Sequence, residues 1–213
     1  MICGPTSCGK TVFVKNFLKY LDDVSDTKFD RILFYYSEWQ PTYREFEREI
    51  EFHEGLPKSS DYADDPRPKL LILDDLMRES SGATVANLFT KGSHHNNLSI
   101  IFITQNLFHK GQREISLNSS YIVIFKNPRD RAQIQYLARQ LCPENAKFLQ
   151  EAYADAVAKP YHYLLIDLKQ ETPENCRYRT CIFPFDEYQY VYVPRQKYIK
   201  TGASLEEVPV FRG

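Results

Sequence analysis

The sequence predicts an α/β domain whose mainly parallel sheet is covered by helices on both faces. Three observations predict it. Residues 4–11 read GPTSCGKT, a glycine-containing loop that opens a helix. Short apolar runs of strand length alternate with helical segments along the chain. Two of these runs, Leu70–Leu73 and Ser99–Thr104, are nearly continuous, as expected of strands buried on both faces, and each leads into acidic or polar residues.

In chain order, apolar Val12, Val14, Phe17, Leu18 and Leu21 recur at helical spacing over Thr11–Tyr20. Ile32–Tyr36 reads as a strand, Thr42–Phe52 as an exposed acidic helix, and Pro57–Pro68 as a polar, proline-containing loop. After the strand at Leu70–Leu73, a helix is expected over Gly82–Lys91 and a strand over Ser99–Thr104. Gln105–Ser120 reads as a long polar connection and Tyr121–Phe125 as a further strand. Helices follow near Arg131–Leu141 and Glu144–Val157. Tyr163–Leu168 and Tyr178–Phe183 are late strands able to pair as a hairpin. One domain over residues 1–185 is expected, followed by a tail of uncertain order over 186–213.

The totals fit that scheme. A chain of 213 residues with 43% hydrophobic and 26% charged residues holds one substantial folded domain, not a disordered chain. The net charge of −1 gives no global basic field for nucleic acid. Local charge is uneven: Leu21–Glu79 carries 16 acidic and 8 basic residues, and Gln105–Arg139 carries 6 basic and 2 acidic. The second segment reads either as a solvated face or as a phosphate-facing surface. No apolar run reaches 18 residues, so no membrane span is expected. The five cysteines form no CxxC pair, which points to reduced thiols, an intracellular protein and no zinc site. No signal peptide is expected ahead of a loop that begins at residue 4. Only Met1, Ile2 and Cys3 precede that loop, so the first strand is expected to be largely missing and the numbered start to be internal to a longer protein.

The loop matches G-x-x-x-x-G-K-[ST], the Walker A pattern, without deviation over Gly4, Pro5, Thr6, Ser7, Cys8, Gly9, Lys10 and Thr11. Its glycines let the backbone curl so that successive N–H groups point at phosphate oxygens. Lys10 supplies a point charge for the β- and γ-phosphates, and Thr11 a hydroxyl for Mg2+. The helix that starts here adds the positive end of its dipole. ATP with Mg2+ is therefore the expected ligand pair.

Lys69–Asp75 (KLLILDD) is an apolar strand ending in two carboxylates, the Walker B arrangement. Asp74 is placed to hold Mg2+ opposite Thr11. Asp75 is a candidate base for the attacking water, shorter in reach than the glutamate often found there. Gln105 ends the next apolar strand, where a side-chain amide can sense the γ-phosphate or the attacking water. Arg113, Arg129 and Arg131 are candidate arginine fingers. His94, His95 and His109 read as solvated rather than metal-binding. Tyr188, Tyr190, Tyr192 and Tyr198 read as an alternating strand edge, with base stacking as the other reading.

GPTSCGKT, LLILDDLM, SHHNNLSIIFITQNLF and ISLNSSYIVIFKNPRD, with their spacing, resemble the genome-packaging ATPases of Polinton/Maverick elements and adintoviruses. These are related to the poxvirus-type packaging ATPases of the FtsK–HerA group. The resemblance covers residues 1–185. It implies a RecA-like ASCE core with an added strand between the phosphate-loop strand and the acidic strand. It also implies a homo-oligomeric ring, often hexameric, around double-stranded DNA, and ATP hydrolysis that drives the genome into a preformed capsid. The family's phosphate loop falls on Gly4–Thr11, its magnesium aspartate on Asp74, its adjoining acid on Asp75 and its strand-end glutamine on Gln105. Capsid proteins are implied partners, and the host nucleus, a cytoplasmic viral factory or the virion the implied locations. A DNA transfer or segregation ATPase, and a nucleotide-binding remnant without turnover, are the alternative readings.

Overall fold

The computed structural model describes residues 1–63, 65–76, 88, 97–108 and 113–195. The described residues form one nine-stranded sheet. Its strands are β1 (Ile2–Cys3), β2 (Arg31–Tyr36), β3 (Glu51–Glu54), β4 (Lys69–Asp74), β5 (Leu98–Thr104), β6 (Tyr121–Phe125), β7 (Tyr163–Asp167), β8 (Tyr178–Thr180) and β9 (Tyr190–Tyr192). Among the described residues the α-helices are α1 (Lys10–Lys19), α2 (Leu21–Val24), α3 (Arg113–Leu117), α4 (Ala132–Leu141) and α5 (Ala146–Ala156).

The strand order is β3-β2-β4-β5-β1-β6-β7-β8-β9. The first six positions are mutually parallel. From β6 onward the pairing is antiparallel, so β7 and β8 form the expected hairpin and β9 adds one more edge strand. β5 lies between β1 and β4, which is the added strand of the RecA-like arrangement. The expected α/β class is thus present, with helices on both faces of a mostly parallel sheet. β1 is two residues long and pairs Ile2 and Cys3 with Ile103 and Thr104 on one side and with Val123 and Ile124 on the other.

Strand alternation sends successive side chains to opposite faces. Phe34, Ile72, Ile103 and Val123 pack on one face with Phe13, Val14 and Leu18 of α1. Leu33, Leu71, Leu73 and Phe102 pack on the other with Ile134 and Leu137 of α4 and Leu149 of α5. Leu71, Ile72 and Leu73 are wholly inaccessible. Burying each such side chain stabilises the fold by about 1.5–3 kcal/mol before entropy is counted.

One expected element is corrected. Thr42–Phe52 is not an exposed acidic helix. It is a 3-10 turn over Pro41–Glu45 followed by a chain that enters β3. Several of the charges there pair across the chain while staying exposed: Glu45 with Lys15 at 2.6 Å, Glu47 with Lys19 at 3.0 Å, Arg48 with Asp22 at 2.6 Å and Glu51 with Arg31 at 2.7 Å. The aromatics between them, Tyr43, Phe46 and Phe52, cluster on Phe34. Helical spacing of charge loses to that apolar contact and to strand pairing with β2. The helix expected over Gly82–Lys91 lies outside the described residues, apart from the buried Leu88. Among the described residues no helix is long and apolar enough to cross a membrane.

Candidate active site

Parallel strands bring their carboxyl ends to one edge of the sheet, and ligands of open α/β sheets bind outside that edge. β1 runs out of the sheet there into the loop of residues 4–11. β4 ends there at Asp74, and β5 at Thr104, immediately before Gln105. The order β4-β5-β1 therefore gathers the loop, both carboxylates and the glutamine at one place, although about 60 and 90 residues separate them in sequence.

The loop's geometry follows from its residue types. Gly4 donates its N–H to Thr104 O at 3.2 Å, which anchors the loop to β5. A Cβ on Gly4 would lie 2.6 Å from Cys8 Sγ and 2.7 Å from Phe125 Cβ, so no larger residue fits. Gly9 holds φ at 110°, a conformation that other residues rarely adopt. It is also the N-cap of α1 and has no side chain with which to cap it. The first N–H groups of α1 are left to the loop's concavity, where the helix dipole favours an anion. No acidic residue occupies that first turn. Lys10 Nζ reaches back over the loop, donating to the carbonyls of Gly4 at 2.6 Å and Pro5 at 2.9 Å. Thr11 follows in the same turn, partly buried. Burial pushes the Cys8 thiol up in pKa despite the Lys10 charge beside it, which keeps it a neutral thiol. All five cysteines are free.

Asp74 is 5% exposed. Burial raises its pKa, the neighbouring Asp75 adds to the rise, and the Tyr43 hydrogen bond and the Lys10 charge oppose it. Tyr43 Oη donates to Asp74 Oδ2 at 2.8 Å. The other carboxylate oxygen, Oδ1, accepts no hydrogen bond from any described residue. A buried carboxylate with one oxygen held by Tyr43 and the other without a partner among the described residues, at a strand end near Lys10 of the loop, fits Mg2+. That ion takes few protein ligands and completes its shell with phosphate and water. Asp74 and Thr11 are the residues that would hold it.

Asp75 sits in a left-handed turn, φ 51°, that ends β4 at once. Gln105 Nε2 donates to Asp75 Oδ2 at 2.9 Å, so the second acid and the glutamine form a unit bridging the ends of β4 and β5. Of the residues expected from sequence, Lys10, Asp74, Asp75 and Gln105 are thereby brought together with the loop. Arg129 and Arg131 are exposed on the segment that follows β6, the neighbour of β1. Arg113 opens α3, and its side chain lies outside the described residues, as do His94, His95, His109 and Tyr198. Among the described residues no three His, Cys, Asp or Glu side chains gather to hold a metal.

Two residues went unnoticed in the sequence. Tyr43 was hidden in the segment read as an exposed helix; the signal was the density of aromatics around it. Gln133 of α4 accepts from Leu107 N–H at 3.1 Å and donates to Asp130 at 2.8 Å, tying the loop after Gln105 to the segment after β6. Nothing in the sequence marks it.

The chain is similar in structure to the genome packaging NTPase B204 from Sulfolobus turreted icosahedral virus 2 in complex with sulfate. The TM-score is 0.55 at 13% identity, over 92% of this chain and 96% of that one. The same NTPase in complex with ATP-gammaS matches with TM-score 0.55 at 13% identity, over 91% of this chain and 95% of that one. At this identity the likeness is one of fold, and it spans nearly the whole of both chains. No protein-family model matches the sequence, and no curated protein does.

Proposed function

We propose that the protein is an ATP-driven double-stranded DNA translocase that packages a viral or virus-like mobile-element genome, of the Polinton/Maverick and adintovirus kind, into capsids. The observation that carries this reading is the convergence of Lys10, Asp74, Asp75 and Gln105 at the carboxyl ends of β1, β4 and β5. The fold likeness to a genome packaging NTPase supports it over nearly the full chain.

In this reading the loop binds the ATP phosphates and Lys10 neutralises charge on the β- and γ-groups. Asp74 and Thr11 would hold Mg2+, which would supply charge neutralisation at the phosphates. Asp75 takes up the proton of the attacking water, and Gln105 orients both Asp75 and that water. Phosphoryl transfer needs positioning and electrostatics more than covalent chemistry, and these residues supply both. The protein works as a homo-oligomeric ring, of the often hexameric kind that the resemblance implies. An arginine from the neighbouring subunit completes the site, with Arg129 and Arg131 as candidates. DNA passes the basic segment, where Lys126, Arg129, Arg131 and Arg139 are exposed. Capsid proteins are the further partners, and the ring acts in the host nucleus or a cytoplasmic viral factory.

The test is ATP turnover with and without double-stranded DNA, together with DNA binding across a salt series. Stimulation by DNA, and binding that weakens steeply with salt, are expected of phosphate contacts. Turnover indifferent to DNA, with salt-insensitive binding or none, would overturn the translocase reading. ATP binding without any turnover would favour the nucleotide-binding remnant. That outcome has one specific support, since the second acid is the shorter Asp75, whose Oδ2 is already engaged by Gln105.

A further inference from the structure

Beside the phosphate loop, a cleft of about 340 Å³ opens along the outer side of α1. Gly9 lies on its rim, and Val12, Asn16, Tyr161, His162, Phe185 and Asp186 line it. Three of these apolar side chains are unusually open: Val12 is 53% exposed, Tyr161 70% and Phe185 55%. Large aromatics in such positions lose favourable burial unless something covers them.

The backbone holds them in place. Tyr161 has φ of 65°, the left-handed region that a bulky side chain rarely enters. Its Cβ stands 3.4 Å from where a Cβ on Gly9 would be, so the ring is carried directly beside the loop's second glycine. Phe185 stacks on Phe183, with centroids 5.5 Å apart and planes 18° from parallel, and also meets Tyr20 at 5.6 Å. Asp186 closes the turn beneath it, accepting from Phe183 N–H at 2.9 Å through its carboxylate while its own N–H donates to Phe183 O at 2.9 Å. Residue strain and locked turns of this kind cluster at binding sites.

We infer that this cleft is the subsite for the purine base of the bound nucleotide, stacked against Tyr161 and Phe185 and covered on the α1 side by Val12. The inference rests on the reading of residues 4–11 as a phosphate loop. Gly9 belongs to both features, so a ligand whose phosphates lie over the start of α1 continues into the cleft. A nucleobase has the matching chemistry: two flat apolar faces for the aromatic walls, and an edge of donors and acceptors for Asn16, His162 and Asp186. DNA would need an open basic track, and among the described residues this cleft carries no lysine or arginine on its lining.

Inorganic tripolyphosphate carries the phosphates without the base, so it separates the two subsites. Binding of ATP and of tripolyphosphate would be measured on the wild-type protein and on the Tyr161→Ala, Phe185→Ala, Tyr161→Phe and Lys10→Ala variants, each with a thermal melt to confirm folding. Loss of one stacking partner is expected to weaken ATP about tenfold. Tripolyphosphate affinity should stay at the wild-type value, and Tyr161→Phe should restore ATP affinity. ATP affinity unchanged in both alanine variants, or equal weakening of the two ligands, would overturn the base subsite. Undiminished tripolyphosphate binding in Lys10→Ala would instead overturn the phosphate-loop reading beneath it.

Discussion

Tyr43 donates a 2.8 Å hydrogen bond to Asp74 at the floor of the candidate site, from a segment that joins β2 to β3. The bond does two things. It fixes the carboxylate in one orientation, and it favours the ionised form against the burial that disfavours it. The tyrosine in turn rises far above its usual pKa, first through burial and then through Asp74, so it remains a donor at any working pH.

That arrangement predicts a pH effect. Asp74 must be ionised to hold Mg2+, and its pKa is already raised, so Mg2+-dependent turnover should fall on acidification sooner than with an ordinary aspartate. Tyr43→Phe removes the hydrogen bond that opposes the rise. Its acid limb should therefore move to higher pH, and its Mg2+ requirement should increase, with turnover at saturating Mg2+ and alkaline pH near wild type. An unchanged acid limb in a pH–rate profile would count against this role for Tyr43.

A second consequence concerns stability. A carboxyl whose folded pKa lies above its unfolded value binds its proton more tightly in the folded protein. Stability is then greatest below the unfolded pKa and declines as pH rises through the folded one. Asp74→Asn removes the buried charge while keeping an acceptor for Tyr43. It should abolish Mg2+-dependent turnover and leave the melting temperature at neutral pH equal to or above wild type. A fall in melting temperature would mean that the carboxylate is a structural support.

Gln105 and Asp75 should behave as one unit. Gln105→Ala is expected to slow hydrolysis more than it weakens ATP binding, and Asp75→Asn to cost roughly 10²–10⁴-fold in turnover as loss of a general base. Because the two side chains are hydrogen-bonded, the double variant should fall short of the sum of the single losses by about 0.5–3 kcal/mol. Strict additivity in a double-mutant cycle would break the assignment of Gln105 as the residue that positions Asp75.

Gly4→Ala tests the loop itself. The new methyl would meet Cys8 Sγ at 2.6 Å and Phe125 Cβ at 2.7 Å, and Phe125 is fixed in β6. We expect a destabilisation of about 1–3 kcal/mol, read as a lower melting temperature, with loss of nucleotide binding. Cys8→Ala, which shortens the opposing side chain, should relieve only part of it.

Much of the site was legible in the sequence because its residues are the ends of contiguous patterns. A glycine-lysine loop opening an amphipathic helix, and two apolar runs ending at Asp74 and Gln105, are local signals, and the sheet merely brings them side by side. Tyr43 and Tyr161 were not legible for the opposite reason. Tyr43 reaches Asp74 from a segment whose charges mimic a helical surface, until Lys15, Lys19 and Arg31 claim them. Tyr161 lies in a turn before β7, and only the fold sets that turn beside Gly9. The strand order has no local signature either, since β5 reaches its place beside β1 by a crossover.

The most direct test of the account is phosphate release from Mg2+–ATP by the protein beside its Lys10→Ala and Asp74→Asn variants. The account predicts turnover that requires Mg2+ and is lost in both variants while they remain folded. Turnover that persists in either folded variant would contradict the assignment of this site.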